Sequence, residues 1–227
     1  MPGAAWLAAM WARFPTPACA ICWLRTSRSN AMLRSLSLPL LLMAALFIVP
    51  LAHADDQEDQ AAVQKRVFEM LEQSHWVAEG ADDPERVVYM FTDMECPYCA
   101  SQWQMMRPFL QNADNDVQVR HIIVALIKPT SLGKGAAVLD ANDPQAALDK
   151  AQGDFNQGGI EPLQDIPAEV ENALQANTIL MMQLGLRGTP ATLFLDPNGR
   201  LQAAPGLMNE EVLASYVFQT RPAPKAP

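Results

Sequence analysis

The amino-acid sequence predicts an α/β fold in which helices and strands are layered around one core. A strand pattern at 86–92 leads into a helical pattern that begins in a Cys-Pro-Tyr-Cys motif, and a second strand pattern covers 117–127. A long, mostly helical stretch at 129–186 then precedes a β-hairpin at 192–203. This order is typical of an α/β layer arrangement with one parallel and one antiparallel strand pair.

Charge is divided unevenly along the 227 residues. Residues 1–54 hold 4 of the 16 basic side chains and no acidic ones, whereas the remainder holds 12 basic and 25 acidic side chains. This break indicates an N-terminal segment joined to an acidic domain. The acidic domain lacks the excess of Lys and Arg that phosphate binding needs, which argues against nucleic acid as the main partner.

The N-terminal segment has the three parts of a secretory signal peptide. Met32 opens a short basic start, 36–51 is an apolar run, and Ala52-His53-Ala54 is a small-x-small ending. We predict initiation at Met32, cleavage after Ala54 and a mature protein in the periplasm. An uncleaved anchor is the weaker alternative, because a membrane span needs about 20 apolar residues.

The mature chain is predicted to contain an N-terminal helix and linker at 55–85, one domain at 86–220 and a flexible, proline-rich tail at 221–227. Val63, Val67 and Leu71 recur at fourfold spacing and predict a helix over 60–74, which the Gly- and Pro-containing stretch 79–84 ends.

The other elements follow from apolar runs and turn residues. Residues 86–92 are apolar on both faces, as expected for a buried central strand. Glycines interrupt the helical block at 153–159, the turn Asp-Pro-Asn-Gly at 196–199 closes the hairpin, and a last helix covers 210–219.

The mature chain keeps two cysteines, Cys96 and Cys99, because Cys19 and Cys22 fall in the segment removed on export. Export places the pair where disulfides form and persist. A bond between residues three apart closes too small a loop to stabilise a fold by loop entropy. The pair is therefore predicted to serve chemistry.

Cys96 is predicted at the first turn of a helix, where free backbone N–H groups and the helix dipole stabilise a thiolate. Pro97 suits that turn because it lacks an N–H that would otherwise be unpaired. Cys99 lies on the same helix face, within disulfide reach. We predict that Cys96 is the exposed attacking thiol and Cys99 the recessed resolving thiol of a redox disulfide.

Other uses of a Cys-x-x-Cys pair fit less well. A zinc site needs two further ligands, and the mature chain offers only His75 and His121, of which His121 is predicted to be packed in a strand. Haem attachment needs His where Ala100 stands. A purely structural disulfide gains little from so small a loop. No metal and no cofactor are predicted.

A second feature stands before the hairpin, at Arg187-Gly188-Thr189-Pro190. A proline that enters a strand from a glycine-containing turn is a candidate cis peptide. If it lies beside the cysteines, the Thr189 backbone can pair with an extended substrate segment as an added strand.

These residues together resemble one family. Segment 88–99, Trp103, Arg107-Pro108, Ile127-Lys128-Pro129 and Thr189-Pro190 look like the thioredoxin-fold domain of the periplasmic disulfide-interchange proteins DsbG and DsbC. DsbG, which also has Cys-Pro-Tyr-Cys, is the more similar, and 74–77 resembles the linker before that domain. The resemblance covers about 65–219.

The resemblance implies a thioredoxin fold with a helical insertion between the second strand and a cis-Pro hairpin, preceded by an N-terminal helix. It implies exported proteins with cysteines as substrates and a membrane redox partner of DsbD or DsbB type. The residues it implicates are the attacking thiol Cys96, the resolving thiol Cys99, and the substrate contacts Pro97, Tyr98, Thr189 and Pro190, with a cis bond at Thr189-Pro190.

The sequence departs from the family in two places. Only 31 residues, 55–85, precede the first predicted strand, fewer than a dimerisation domain and linker need, so we expect a monomer. Self-association through the helix at 60–74 is the alternative to packing on its own domain, which we favour because two heptads rarely form a stable coiled coil.

Met90 stands six residues before the nucleophile, where thioredoxin-like reductases often carry a buried acid. Glu95 is expected to face solvent and to raise the pKa of Cys96.

Three functions remain, in this order. The first is a periplasmic thiol–disulfide oxidoreductase of DsbG type that works in the reductase or isomerase direction. The second is a monomeric disulfide oxidase of DsbA type. The third is a chaperone-like peptide-binding module in which the cysteines are incidental.

The predicted cleavage site can be read directly. Sequencing of the exported protein should give Asp55 as the N-terminal residue, because the small residues at 52 and 54 suit signal peptidase. A blocked or longer N-terminus would contradict cleavage after Ala54.

Overall fold

The computed structural model describes the backbone of residues 52–219 and the side chains of residues 60–219. The chain divides into two units, Met1–Ala62 and Val63–Pro227, and the sheet, Cys96 and Cys99 belong to the second. The predicted signal peptide up to residue 51 and the predicted tail at 221–227 lie outside the described residues. Among the helices of residues 52–219, none combines the length and apolar character that crossing a bilayer requires.

One mixed sheet of five strands forms the centre of the domain. The strands are β1 Trp76–Gly80, β2 Arg86–Thr92, β3 Val117–Ile123, β4 Ala191–Leu195 and β5 Leu201–Pro205. Their spatial order is β1-β3-β2-β4-β5. β2 and β3 run parallel, whereas the other neighbouring pairs are antiparallel. The predicted parallel pair and hairpin are both confirmed.

Strand β1 is not predicted from the sequence, in which its residues are assigned to a linker and a helix-breaking stretch. Its five residues are paired with β3 from Trp76 opposite Ile122 to Gly80 opposite Gln118. The segment contains Ala, Glu and Gly, which are depleted in strands, and its charged Glu79 is buried. The strand therefore owes its existence to tertiary partners that periodicity does not reveal.

The helices flank the sheet and supply the predicted helical insertion. They are α1 Ala52–Glu72, α2 Pro97–Leu110, α3 Ser131–Leu139, α4 Pro144–Gly153, α5 Ala168–Gln183 and α6 Glu210–Val212, which continues as a π-helical turn at Leu213–Val217. A 3₁₀ turn at Phe155–Gln157 lies in the predicted glycine-rich interruption. Because α3, α4 and α5 all lie between β3 and β4, the insertion is confirmed.

Strand β2 is buried on both faces, as predicted. Val88 and Met90 belong to a core that includes both cysteines and residues of α2, whereas Tyr89 and Phe91 belong to a core that includes residues of α1 and α5. Packed side chains on both faces fix the position of β2. The chain therefore enters the cysteine segment from a well-fixed strand.

Helix α1 packs on its own domain through part of its predicted stripe. Val67 and Leu71 are buried in the core that contains Tyr89 and Phe91, whereas Val63 is 57% exposed. The packing on its own domain that we favoured is therefore confirmed for two of the three stripe residues.

Glu79 of β1 is a buried charge that joins three elements. Its carboxylate accepts hydrogen bonds from Trp103 Nε1 at 3.0 Å and from His121 Nε2 at 3.1 Å, and it forms an ion pair with Arg107. The prediction that His121 is a packed, hydrogen-bonded residue is confirmed. Burial alone raises the pKa of Glu79, but the hydrogen bond to His121 and the charge of Arg107 outweigh it and lower the pKa.

Removing this carboxylate should be costly. The Glu79→Ala variant should lose about 3 kcal/mol of unfolding free energy, because Arg107 and two ring N–H donors are then left without their buried partner. Urea denaturation at neutral pH measures the loss. The contribution is present above pH 4.5, the ordinary pKa of a glutamate, and disappears as the pH falls through the lowered pKa of Glu79.

A surface ion pair provides the matched control. Lys65 and Glu69 are 3.8 Å apart and largely exposed, so Lys65→Ala should change the unfolding free energy by less than about 0.5 kcal/mol. Equal losses in the two variants would contradict the special role of Glu79.

Candidate active site

The site is built where β2 ends and α2 begins. The chain turns through Asp93, Met94 and Glu95, and the N–H of Cys96 donates to the Asp93 carbonyl at 3.0 Å. Cys96 is the N-cap of α2 with extended backbone angles, φ −94° and ψ 112°, and Pro97 occupies the first helical position. The predicted placement of both residues at the helix start is confirmed.

The carboxylate of Asp93 fixes this turn. It is fully buried and accepts four hydrogen bonds, from the backbone N–H groups of Glu95 at 2.8 Å, Leu126 at 2.6 Å and Ile127 at 2.9 Å and from the Ser131 hydroxyl at 2.8 Å. β3 ends at Ile123 rather than at the predicted residue 127, and two of the N–H groups beyond it turn toward this carboxylate. The role of Asp93 is not predicted from the sequence, although a polar residue directly after a buried strand is a signal for it.

Glu95 does not face solvent, and that prediction is wrong. It is buried and accepts hydrogen bonds from Lys128 Nζ at 2.8 Å and Thr130 Oγ1 at 2.7 Å, with Lys134 Nζ 3.0 Å away. Burial raises the pKa of Glu95, but these donors lower it to about 2. Two lysines therefore balance the negative charge next to Cys96, which sequence spacing alone does not show.

The Cys96 sulfur lies between the helix start and the loop before β4. It accepts a hydrogen bond from the N–H of Cys99 at 3.3 Å, and in its protonated form it donates to the Thr189 carbonyl, which lies 3.3 Å away. Cys96 is 2% exposed and Cys99 is fully buried. The prediction that Cys96 is exposed is therefore wrong. Cys96 is nearly as buried as Cys99, because the Thr189 carbonyl lies against its sulfur.

The two cysteines differ more in the pKa of their thiols than in how deeply they are buried. A hydrogen bond from the Cys99 thiol is the largest influence on the pKa of Cys96 and lowers it. Burial opposes this effect, whereas the Thr189 hydroxyl and the backbone N–H groups of Cys99 and Tyr98 add to it, and the pKa falls to about 6. Burial and the adjacent Cys96 raise the pKa of Cys99 well above its ordinary value. At neutral pH the first sulfur is a thiolate and the second a thiol, which is the state that disulfide exchange requires.

The other predicted site residues surround Cys96. Thr189-Pro190 is a cis peptide bond, as predicted, and the Pro190 carbonyl accepts a hydrogen bond from the Gly206 N–H at 2.7 Å. Pro190 is buried, whereas Pro97 and Tyr98 are exposed. The structure thus brings together all six residues that the resemblance implicated.

Two further observations bear on the chemistry. Met90 is fully buried in the same core as both cysteines. An apolar side chain therefore occupies the position at which thioredoxin-like reductases often carry a buried acid. Among residues 60–219, no three His, Cys, Asp or Glu side chains are grouped as metal ligands.

Comparison with known proteins places this site in a family. The family model described as a thioredoxin-like domain matches residues 71–221, which include every site residue described above. The chain belongs to this family. The fold class predicted from the resemblance is confirmed.

Two curated relatives are similar over the same region, and both are described as thiol:disulfide interchange protein DsbG. The protein from Pseudomonas aeruginosa is 39% identical over 157 residues, 69% of this chain and 60% of its own length. The protein from Escherichia coli K12 is 32% identical over 158 residues, 70% of this chain and 63% of its own length. The predicted resemblance to DsbG is confirmed, and the chain spans about three fifths of the length of these relatives.

A solved structure supports the fold independently. A periplasmic thioredoxin-like protein from Salmonella enterica serovar Typhimurium aligns with a TM-score of 0.56 at 21% identity, over 68% of this chain and 95% of that one. At this level of identity the likeness shows the fold alone.

The difference between the two thiols predicts the pH dependence of alkylation. In the folded, reduced protein, the rate of Cys96 modification by iodoacetamide should rise with pH and level off above an inflection near 6, because only the thiolate reacts. Cys99 should stay unmodified in the same interval. Peptide mapping by mass spectrometry assigns the label.

Two controls accompany this measurement. Cys99→Ala should move the inflection upward, because it removes the hydrogen bond that contributes most to lowering the pKa of Cys96. Denatured protein should titrate near the ordinary thiol value. An inflection in the folded protein that equals the denatured one would contradict the stabilised thiolate.

Proposed function

We propose that this protein is a thiol–disulfide oxidoreductase that exchanges disulfides with exported proteins in the periplasm. The observation that carries the proposal is the contrast between Cys96, whose sulfur caps a helix and has a lowered pKa, and Cys99, whose buried thiol has a raised pKa. A nucleophile that is ionised at neutral pH, next to a thiol held in reserve, suits a two-step exchange. The similarity to DsbG proteins supports the same activity.

The reaction proceeds in two transfers. The Cys96 thiolate attacks one sulfur of a client disulfide, a bond forms between Cys96 and that sulfur, and the second client sulfur leaves as a thiolate. Cys99 then loses its proton and attacks Cys96, so the client is released with two reduced sulfurs and the protein carries the Cys96–Cys99 disulfide. Two electrons pass from the protein to the client.

The surroundings of Cys96 suit an extended polypeptide. Thr189 lies against the attacking sulfur and precedes β4, so its backbone is positioned to pair with a client segment as an added strand. The exposed ring of Tyr98 and the partly exposed side chains of Leu126 and Ile127 offer apolar contacts around it. The exposed Pro97 completes this client-binding surface, and the buried Pro190 supports Thr189 from behind it.

The direction of transfer that we propose is reduction or isomerisation, with a membrane electron donor of DsbD type. The similarity to DsbG proteins supports this direction. The lowered pKa of Cys96 favours the second candidate, an oxidase served by a partner of DsbB type, because a stabilised thiolate favours the dithiol over the disulfide. The fraction of Cys96 that is reduced in cells decides between them. A mostly reduced pair supports reduction, and a mostly oxidised pair supports oxidation.

A trapping experiment tests the activity itself. In Cys99→Ala the resolving thiol is missing, so mixed disulfides between Cys96 and exported clients should accumulate, because no neighbouring sulfur releases them. Acid quenching, non-reducing electrophoresis and mass spectrometry of the adducts identify the trapped proteins.

The matched control is Cys96→Ala, which keeps Cys99 and should form no adducts, because the remaining thiol is buried and protonated. Adducts in both variants, or in neither, would reject the assignment of attacking and resolving sulfurs.

A further inference from the structure

A buried polar contact lies behind the resolving cysteine, outside the groups that take part in the two transfers proposed above. Thr92, the last residue of β2, is fully buried, and its hydroxyl oxygen lies 3.3 Å from Nε2 of Gln152 on α4. Burial and Cys96 raise the pKa of the Cys99 thiol, and hydrogen bonds from the side chains of Thr189 and Thr92 act against that rise. Cys99, Thr92 and Gln152 thus form a chain of three buried groups that leads from the sulfur into the interior.

The direction of the Gln152 amide is fixed by its second contact. Nε2 also lies 3.6 Å from the sulfur of Met94, and a thioether sulfur only accepts hydrogen bonds. The amide nitrogen therefore faces both Met94 and Thr92, and Gln152 is the donor to the Thr92 hydroxyl oxygen. The amide carbonyl oxygen is buried and has no hydrogen-bond partner among the described residues.

This direction determines what Thr92 does. A hydroxyl that accepts a hydrogen bond from Gln152 keeps its own hydrogen free to donate, and the neighbouring Cys99 sulfur is in place to accept it. A donor next to the sulfur stabilises its thiolate relative to its thiol. Because successive hydrogen bonds polarise one another, the amide strengthens the donation from the hydroxyl.

We propose that Gln152 is a positioning residue that directs the Thr92 hydroxyl toward Cys99, so that Thr92 stabilises the resolving thiolate as it forms. The inference rests on the proposed function and deepens it. It concerns the difficult part of the second transfer, in which a fully buried thiol must ionise. No acid assists from position 90, where thioredoxin-like reductases often carry one, because that residue is Met90.

The step is balanced without further reactants. In the mixed disulfide, Cys99 gives up its proton and attacks Cys96, the bond between Cys96 and the client sulfur breaks, and the client leaves as a thiolate that takes up a proton. The Thr92 hydroxyl donates a hydrogen bond to the forming thiolate and keeps its own hydrogen throughout.

The experiment separates the two transfers in one trace. The reduced full chain is mixed with one equivalent of the disulfide reagent DTNB, and release of the coloured thionitrobenzoate anion is followed by stopped flow. Attack by Cys96 gives the first phase, and attack by Cys99 on the resulting mixed disulfide gives the second. In Gln152→Met the Thr92 hydroxyl is no longer directed toward Cys99, so the forming thiolate loses one hydrogen bond and the second phase should slow about tenfold. The first phase should change less than twofold.

Further variants test whether Gln152 acts through Thr92. Thr92→Val should slow the second phase at least as much as Gln152→Met, and Thr92→Ser, which keeps the hydroxyl, should restore it. In the Thr92→Val background, Gln152→Met should slow the second phase no further, because residues that act in one chain are not additive. The pH midpoint of the second phase should rise in both single variants, because a thiolate that loses its donor forms at higher pH.

The matched control is Gln145→Leu, an exposed glutamine on the same helix, which should leave both phases unchanged. If Gln152→Met does not fold, Gln152→Asn withdraws the same donor in a shorter amide and should show the same slowing. Additive effects of the two sites, or a second phase that keeps its rate and midpoint, would overturn the inference. A wild-type protein without any second phase would instead overturn the proposed function.

Discussion

The buried carboxylate of Asp93 ties together the two chain segments from which the reactive turn is made. Its two oxygens accept four hydrogen bonds, one from the turn that precedes Cys96 and three from the segment beyond β3. An unpaired carboxylate in a protein interior is costly, so these bonds leave the turn little freedom. The position of the attacking sulfur therefore depends on an interaction in which neither cysteine takes part.

The difference between the cysteines follows from that position. Cys96 stands at the N-cap of α2, where the Cys99 N–H points to its sulfur, whereas Cys99 lies inside the first turn, against the core. One sulfur is thus stabilised as an anion by donors and the other is kept neutral by burial. Glu95 does not oppose this arrangement, because Lys128 and Lys134 balance its charge.

Buried polar groups also connect the site to the helical insertion. Glu79 joins β1 to α2 and β3, and Gln152 brings α4 against the end of β2. α4 belongs to the insertion between β3 and the hairpin, so the insertion supplies a side chain directly behind the resolving thiol. From the sequence, this segment is predicted only as a helical block, because no local pattern distinguishes Gln152 from a solvent-facing glutamine.

The sequence alone determined the parts of the protein that depend on neighbours along the chain. The sequence predicts strand β2, the helix start at Cys96, the hairpin and the cis bond at Thr189-Pro190. These features are predictable because periodicity, capping and turn chemistry act over a few residues. Tertiary structure decided the rest: the edge strand β1, the burial of Glu95, the cover over Cys96 and the contact between Thr92 and Gln152. Each of these joins residues distant in sequence, and the free energy of burying a polar group depends on partners that only the folded chain brings near.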